Sequence, residues 1–387
     1  MFPIIATTAF GLEAIVAREL KALGYADVVV QDGRVRFLGE LRDVCRANLW
    51  LRSAERVLIE VGSFEAHDFG ELFDQTYALP WEEWLPVDAE FPVNGRSVRS
   101  QLHSVPDCQR IIKKGVVERL KSKYAVDWFE ETGPKVGIDM TLLKDQCTIC
   151  LDTSGPGLHR RGYRALTGEA PIRETLAAAM IQLSYWNRER LLVDPCCGTG
   201  TILIEAALIG RNMAPGLNRT FAAESWPVFS EELWHDVREE ARAAILPPLP
   251  EKLAGYDNDW RPLKLAREAA RDAGVFDDLH LQQRPLSEFK TSQKYGCLIT
   301  NPPYGERLGE LAEVEELYRT MGKLWRELDT WSIYVITSHP RFEALYGRKS
   351  ERRRKLFNGR IECTYYQYPG PRPPRPTSTD IIPPVEE

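Results

Sequence analysis

Three short stretches hold residues whose types and spacing can do chemistry. The first is Leu191–Leu208, LLVDPCCGTGTILIEAAL: an apolar strand, the acid Asp194, a loop with Cys196, Gly198 and Gly200, then a helix free of Gly and Pro. Glycines let a backbone pass close to a ligand, and a helix N-terminus offers unpaired N–H groups. As a dinucleotide fingerprint the stretch fails, because Leu203 stands where the third glycine would be. What remains suits a nucleoside with a small zwitterionic arm, such as S-adenosylmethionine (SAM), although a purely structural strand-to-helix turn explains this stretch equally well. The second is Asp257, an acid at the end of the short strand 252–257, where a carboxylate can accept both hydroxyls of a ribose. The third is Tyr295–Gly309, YGCLITNPPYGERLG, whose apolar strand ends on Asn301-Pro302-Pro303-Tyr304, a run that packing does not require.

These types suit attack by an exocyclic amino group. Such a nitrogen is a poor nucleophile because its lone pair is delocalised into the purine ring. If the Asn301 side-chain oxygen and the Pro302 carbonyl accept its two protons, it can turn pyramidal and aim that lone pair. The prolines hold the carbonyl in place, and Tyr304 can stack on a base drawn out of its helix. Positioning then supplies most of the acceleration, and no dedicated base is needed. Three strand-end loops of this kind fit ligand binding at the carboxyl edge of an open α/β sheet. The gap from Gly200 to Asp257 far exceeds the ~20 residues of a dinucleotide site, so an insertion separates them.

DPCCGTGTILIEAAL, GYDND and TNPPYGERLG, with GLHRRGYR and APIRETLA upstream, resemble the motifs of SAM-dependent methyltransferases acting on exocyclic amino groups. The chain is most similar to the bacterial rRNA guanine-N2 methyltransferases that carry a THUMP RNA-binding domain, from Ile4 to about Pro369. The resemblance implies a doubly wound, Rossmann-like class I methyltransferase domain preceded by a ferredoxin-like plus THUMP module. It implies SAM held by Asp194, Cys196, Gly198, Gly200 and Asp257, with Glu174 and Thr175 as further contacts. Many methyltransferases grip the adenine with an acid at the end of the third strand. Gln283 stands there instead and could serve through its side-chain carbonyl. The implied partner is rRNA or the assembling large ribosomal subunit, and the implied product N2-methylguanosine. Adenine-N6 methylation of RNA or DNA is the alternative.

The rest of the 387 residues must position these loops. Strands alternating with helices over 159–369 predict a mostly parallel sheet, its insertion (about 212–250) carrying a helix at Glu231–Ala244. Residues 1–62 read β-α-β-β-α-β, with Asp32-Gly33 as a hairpin turn; 63–158 form a second, RNA-holding domain; 370–387 are a proline-rich tail. Within Arg96–Lys123 lie eight Lys/Arg against two acids, Arg110, Lys113, Lys114 and Lys121 among them. In a chain of net charge −6 this clustering favours a phosphate contact over a merely solvated helix face. Arg160 and Arg161 in the GLHRRGYR joint, and Arg353 in a second basic run, are further candidates for RNA contact.

Several function classes recede. No apolar stretch approaches the ~18 residues of a membrane span, and the N-terminus lacks the basic lead of a signal peptide. Eight scattered cysteines fit reduced, cytoplasmic thiols. Cys147-x-x-Cys150 lacks a second ligand pair, so no metal site is expected. A nicotinamide oxidoreductase is disfavoured by Leu203. Cysteine-dependent carbon methylation lacks a thiol placed at the base, and a silent RNA binder would not need intact loops.

Overall fold

Apolar periodicity and turn residues cut the chain into fourteen described strands, which gather in two sheets. The computed structural model describes residues 1–163, 172–305 and 311–374. Arg164, the Ala170-Pro171 helix start, Glu306–Gly309 and the tail from 375 lie outside the described residues. The chain divides into two units, Met1–Ala179 with Leu208–Pro247, and Met180–Ala207 with Pro248–Glu387.

The elements begin with β1 (Phe2–Thr8), α1 (Glu13–Ala22), β2 (Val28–Gln31), β3 (Arg34–Gly39), α2 (Leu41–Trp50) and β4 (Ala54–Glu65). Next come α3 (Phe69–Ala78), β5 (Val93–Val98), α4 (Val105–Tyr124), β6 (Gly137–Leu143) and β7 (Gln146–Asp152). α5 (Glu174–Gln182), β8 (Leu192–Asp194), α6 (Thr201–Gly210), α7 (Glu231–Ala243), β9 (Leu253–Asp257) and α8 (Trp260–Asp272) follow. The last are β10 (Leu279–Gln283), β11 (Cys297–Thr300), α9 (Leu311–Trp325), β12 (Ser332–Thr337), α10 (Phe342–Tyr346), β13 (Arg352–Asn358) and β14 (Ile361–Tyr368).

In the first unit the strands form one sheet, ordered β2-β3-β1-β4-β7-β6-β5. The long β4 pairs with β1 on one side and β7 on the other, running straight through residue 62, where the sequence suggested a boundary. On α4, Ile112, Val116 and Leu120 are buried, and the helix ends at Ala125 with φ +52°. Cys147 and Cys150 sit three apart on β7, so they face opposite ways: Cys147 joins the large core, Cys150 packs with Ile5 and Leu58. Burial pushes the Cys147 thiol up to about 12.

The insertion belongs to this unit. Phe221, Trp226, Phe229 and Trp234 bury in the same core as the front sheet, and Glu240 of α7 meets Arg42 of α2 at 2.8 Å. Its apolar side chains outweigh its place in the sequence, since each buried aromatic removes 150–250 Å² from water by typical estimates, roughly.

The second unit's sheet is ordered β10-β9-β8-β11-β12-β14-β13. Strands β8 to β12 pair in parallel, and the β13–β14 hairpin adds antiparallel at one edge. The Asp259 side chain accepts the Arg261 N–H at the start of α8, and Gly274 beyond its end has φ +72°. Among the described residues no helix is long and apolar enough to cross a membrane.

Gly322 on α9 shows how closely this unit packs, because a Cβ there would stand 2.0 Å from the Tyr346 carbonyl oxygen. The obstacle is backbone, which cannot swing aside. Gly322→Ala is expected to destabilise by about 1–3 kcal/mol. A thermal melt of the variant matching the parent would contradict this packing.

Candidate active site

β8 is a short, fully buried strand, and its last residue, Asp194, is 1% exposed. Its Oδ1 accepts from the Thr300 hydroxyl at 2.7 Å and from the Cys196 N–H at 3.1 Å. Burial pushes this carboxyl up to about 7, against the pull of those two hydrogen bonds. Past it, Gly198 (φ +51°) and Gly200 (φ +76°) take left-handed turns that suit glycine. Nothing lies within 4 Å of where a Gly198 Cβ would be, so the space over this loop is open to a ligand.

The loop is tied to β9. Gly198 N–H donates to Asp257 Oδ2 at 3.0 Å, Asp259 N–H to Asp257 Oδ1 at 2.9 Å, and Cys197 N–H to the Tyr256 carbonyl at 2.9 Å. Each Asp257 oxygen thus takes one backbone donor and keeps lone-pair capacity for more. Parallel pairing sets Gln283 beside Asp257, and the Gln283 Nε2 donates to the Asn258 carbonyl at 2.9 Å.

On the other side of β8, β11 delivers Asn301-Pro302-Pro303-Tyr304. Two prolines have no N–H, so this loop is short of backbone donors and leans on its acceptors to be held. Tyr318 of α9 donates its hydroxyl to the Pro303 carbonyl at 2.7 Å. With that proton committed, Thr337 donates to Tyr318 at 2.9 Å, and Thr337 in turn accepts the His339 N–H at 3.0 Å. Tyr304 donates to Asn301 Oδ1 at 2.5 Å, while the Cys363 thiol reaches Tyr304 Oη at 3.6 Å. Burial raises the Tyr304 phenol far above its ordinary value, so it remains a donor. Asn301 Oδ1 is thereby oriented and retains a second lone pair.

Strands β10, β9, β8 and β11 are neighbours in that order, so Gln283, Asp257, Asp194, Cys196, Gly198, Gly200, Asn301, Pro302 and Tyr304 share one carboxyl edge. Glu174 and Thr175 fall in the other unit; there both are buried, and the Thr175 hydroxyl donates to Glu55 at 3.1 Å. Thr300 opens the TNPPYGERLG motif, but its bond to Asp194 was not legible there, and Tyr318, Thr337 and Cys363 carry no motif at all.

The expected RNA contacts are more heavily engaged than the sequence implied. Arg161 is 3% exposed and donates to the Leu158 and Arg52 carbonyls, so burial and prior bonding turn it away from any ligand; Arg160 is exposed. Arg110 pairs with Asp107, Lys113 with Glu131 at 2.7 Å, and Lys121 with Glu118 at 3.3 Å. Lys114 lies over the Phe73 ring. Arg353 reaches Glu343 at 3.5 Å.

Family models match three segments: an RlmL ferredoxin-like domain over residues 3–58, a THUMP domain over 66–152 and an RMKL-like methyltransferase domain over 161–367. YpsC of Bacillus subtilis, provisionally named an RNA methyltransferase, is 49% identical over 95% of this chain and 96% of its own. The ribosomal RNA large subunit methyltransferase K/L of Syntrophotalea carbinolica is 36% identical over 92% of this chain, which spans 52% of that protein. A predicted N6-adenine-specific DNA methylase from Listeria monocytogenes has a crystal structure 48% identical in sequence, with a TM-score of 0.92 over 96% of each chain. SMU.472, provisionally named a methyltransferase and complexed with SAH, is 45% identical with a TM-score of 0.91 over 96% of this chain and 99% of its own. The chain belongs to the RMKL-like methyltransferase family, in the form that carries an RlmL ferredoxin-like domain and a THUMP domain ahead of the methyltransferase domain.

Proposed function

We propose that the chain methylates the exocyclic N2 of a guanosine in large-subunit rRNA, with SAM as methyl donor. The observation that carries the reading is the Asn301–Tyr304 loop, held by its acceptors beside the open glycine loop of β8. The site fits the cofactor: open space over Gly198, and Asp257 with acceptor capacity to spare for ribose hydroxyls. When bound, SAM supplies an electrophilic methyl on a sulfonium leaving group.

The protein's own part is alignment. Asn301 Oδ1 and the Pro302 carbonyl accept the amino protons. The hydrogen-bonded line from His339 through Thr337 and Tyr318 keeps the following peptide, at Pro303, from rotating. Guanine rather than adenine is supported by the rRNA methyltransferase K/L relative. The Listeria structure favours a second reading, adenine-N6 methylation, which uses the same loop. Naked rRNA and an assembling subunit are both compatible with a THUMP domain on this chain.

Asp257→Ala should weaken SAM binding by about 1.5–3 kcal/mol, since a charged acceptor is lost; unchanged affinity by calorimetry in a folded variant would remove Asp257 from the cofactor site. Asn301→Ala should keep SAM affinity and lose roughly 10²–10³-fold in kcat. Tyr318→Phe should lower kcat by about 10-fold with SAM affinity preserved, because a small misplacement is enough. Parent-like turnover in Tyr318→Phe would mean that the loop holds itself. The deciding assay digests rRNA methylated with labelled SAM to nucleosides. Label in N2-methylguanosine supports the reading, and label in N6-methyladenosine transfers it to adenine.

A further inference from the structure

Asn301 can help a reacting amine only with its oxygen end turned toward it, because its Nδ2 end offers protons where the amine needs an acceptor. The two ends of a carboxamide are nearly alike in shape, so packing alone does not choose between them. The choice falls to the group that Asn301 already touches, the Tyr304 hydroxyl, at 2.5 Å. A phenol both donates and accepts. If Tyr304 spends its proton elsewhere, it meets Asn301 as an acceptor and draws the Nδ2 end instead. Whatever surrounds the Tyr304 oxygen therefore decides which way Asn301 faces.

Two residues of the β13–β14 hairpin surround it. The Cys363 thiol lies 3.6 Å from Tyr304 Oη, and the Asn358 side chain hydrogen-bonds the same oxygen. Leu356 pairs with Cys363, and Asn358 with Ile361. Side chains alternate along a strand, so Asn358 and Cys363 share one face of the hairpin and reach one atom from adjacent strands. The thiol is a weak donor, and its one proton also has the Ile361 carbonyl at 3.7 Å. The Asn358 amide is the stronger of the two. Turn chemistry does not account for it: Asn358 still belongs to β13, and the loop's left-handed residue is Gly359, at φ +63°. Asn is moreover depleted in strands.

We infer that Asn358, seconded by Cys363, is a positioning residue that sets the amide of Asn301. Its Nδ2 and the thiol occupy the acceptor side of the Tyr304 oxygen, which leaves the phenol proton for Asn301 Oδ1. The second lone pair of Oδ1 then faces the reacting amine. Asn358 acts through Tyr304 and not on the substrate. Tyr304 has two separate duties, a ring face for the base and a hydroxyl for Asn301. The inference rests on the proposed amine-methylating role of the loop, and it holds whether the amine belongs to guanine or adenine.

The test assays the full chain for methyl transfer from labelled SAM to large-subunit rRNA, both saturating, with SAM affinity followed by calorimetry. Tyr304→Phe keeps the ring, removes the hydroxyl and should lower kcat by about 10-fold. Asn358→Ala should lower it by a similar factor. The double variant should be no slower than either alone, since both changes act on one link. Asn358→Asp keeps the shape but can only accept. It competes for the phenol proton and should cost more than Asn358→Ala, an excess that vanishes in the Tyr304→Phe background. Cys363→Ser keeps a donor in place and should stay near the parent rate. SAM affinity should hold at the parent value throughout. Additive losses in Tyr304→Phe with Asn358→Ala, or a parent-like kcat in Asn358→Ala and Asn358→Asp, would overturn the role of Asn358 while leaving the amine chemistry standing. A parent protein that places no label on an exocyclic amine would overturn both.

Discussion

A carboxyl group shut away from water has to be satisfied by whatever surrounds it. Asp194 is in that position at the end of β8, and the two groups that satisfy it are the Thr300 hydroxyl and the Cys196 N–H. Thr300 is the last residue of β11 before Asn301, and Cys196 opens the glycine loop. One buried side chain therefore holds two strand-end loops in register, and Asp257 adds the third through Gly198. An unpaired polar group here would cost about 1–3 kcal/mol, enough to make the alignment of the loops a condition of folding and not a later adjustment.

Much of this edge was legible in the sequence because its parts are local. A strand, a glycine turn and a helix start lie within 18 residues at Leu191–Leu208, and Asn301–Tyr304 are contiguous. What was hidden depends on partners far apart in the chain. Tyr318 reads as an ordinary buried aromatic of an amphipathic helix until its hydroxyl is seen on Pro303, 15 residues away. Cys363 meets Tyr304 across 59 residues. The placement of the insertion was illegible for the same reason: continuity put it with the catalytic sheet, whereas its aromatic residues complete the core of the other unit.

Charge was the least transparent property. A count of Lys and Arg on α4 suggests a bare cationic surface, but Glu131, Glu118, Glu82 and Asp107 answer many of those charges. Exposed pairs of this kind are worth about 0–1 kcal/mol. They are weak enough to be exchanged for phosphate, so pairing tempers the electrostatic attraction without abolishing it. The acidic total of the chain then works as a filter. Contact with a polyanion is repelled on average and rewarded only where several cations face one way.

The length of β4 has a consequence for how this protein can be taken apart or inherited. One twelve-residue strand serves as the inner neighbour of both halves of the first sheet. Removing the ferredoxin-like half would strip β4 of β1 and expose a long row of unpaired backbone donors and acceptors in the half that remained. The two halves are therefore not beads on a string that recombination can reshuffle one at a time. They are a single heritable part, and a chain that borrows this RNA-holding half must borrow its companion or provide another strand in its place.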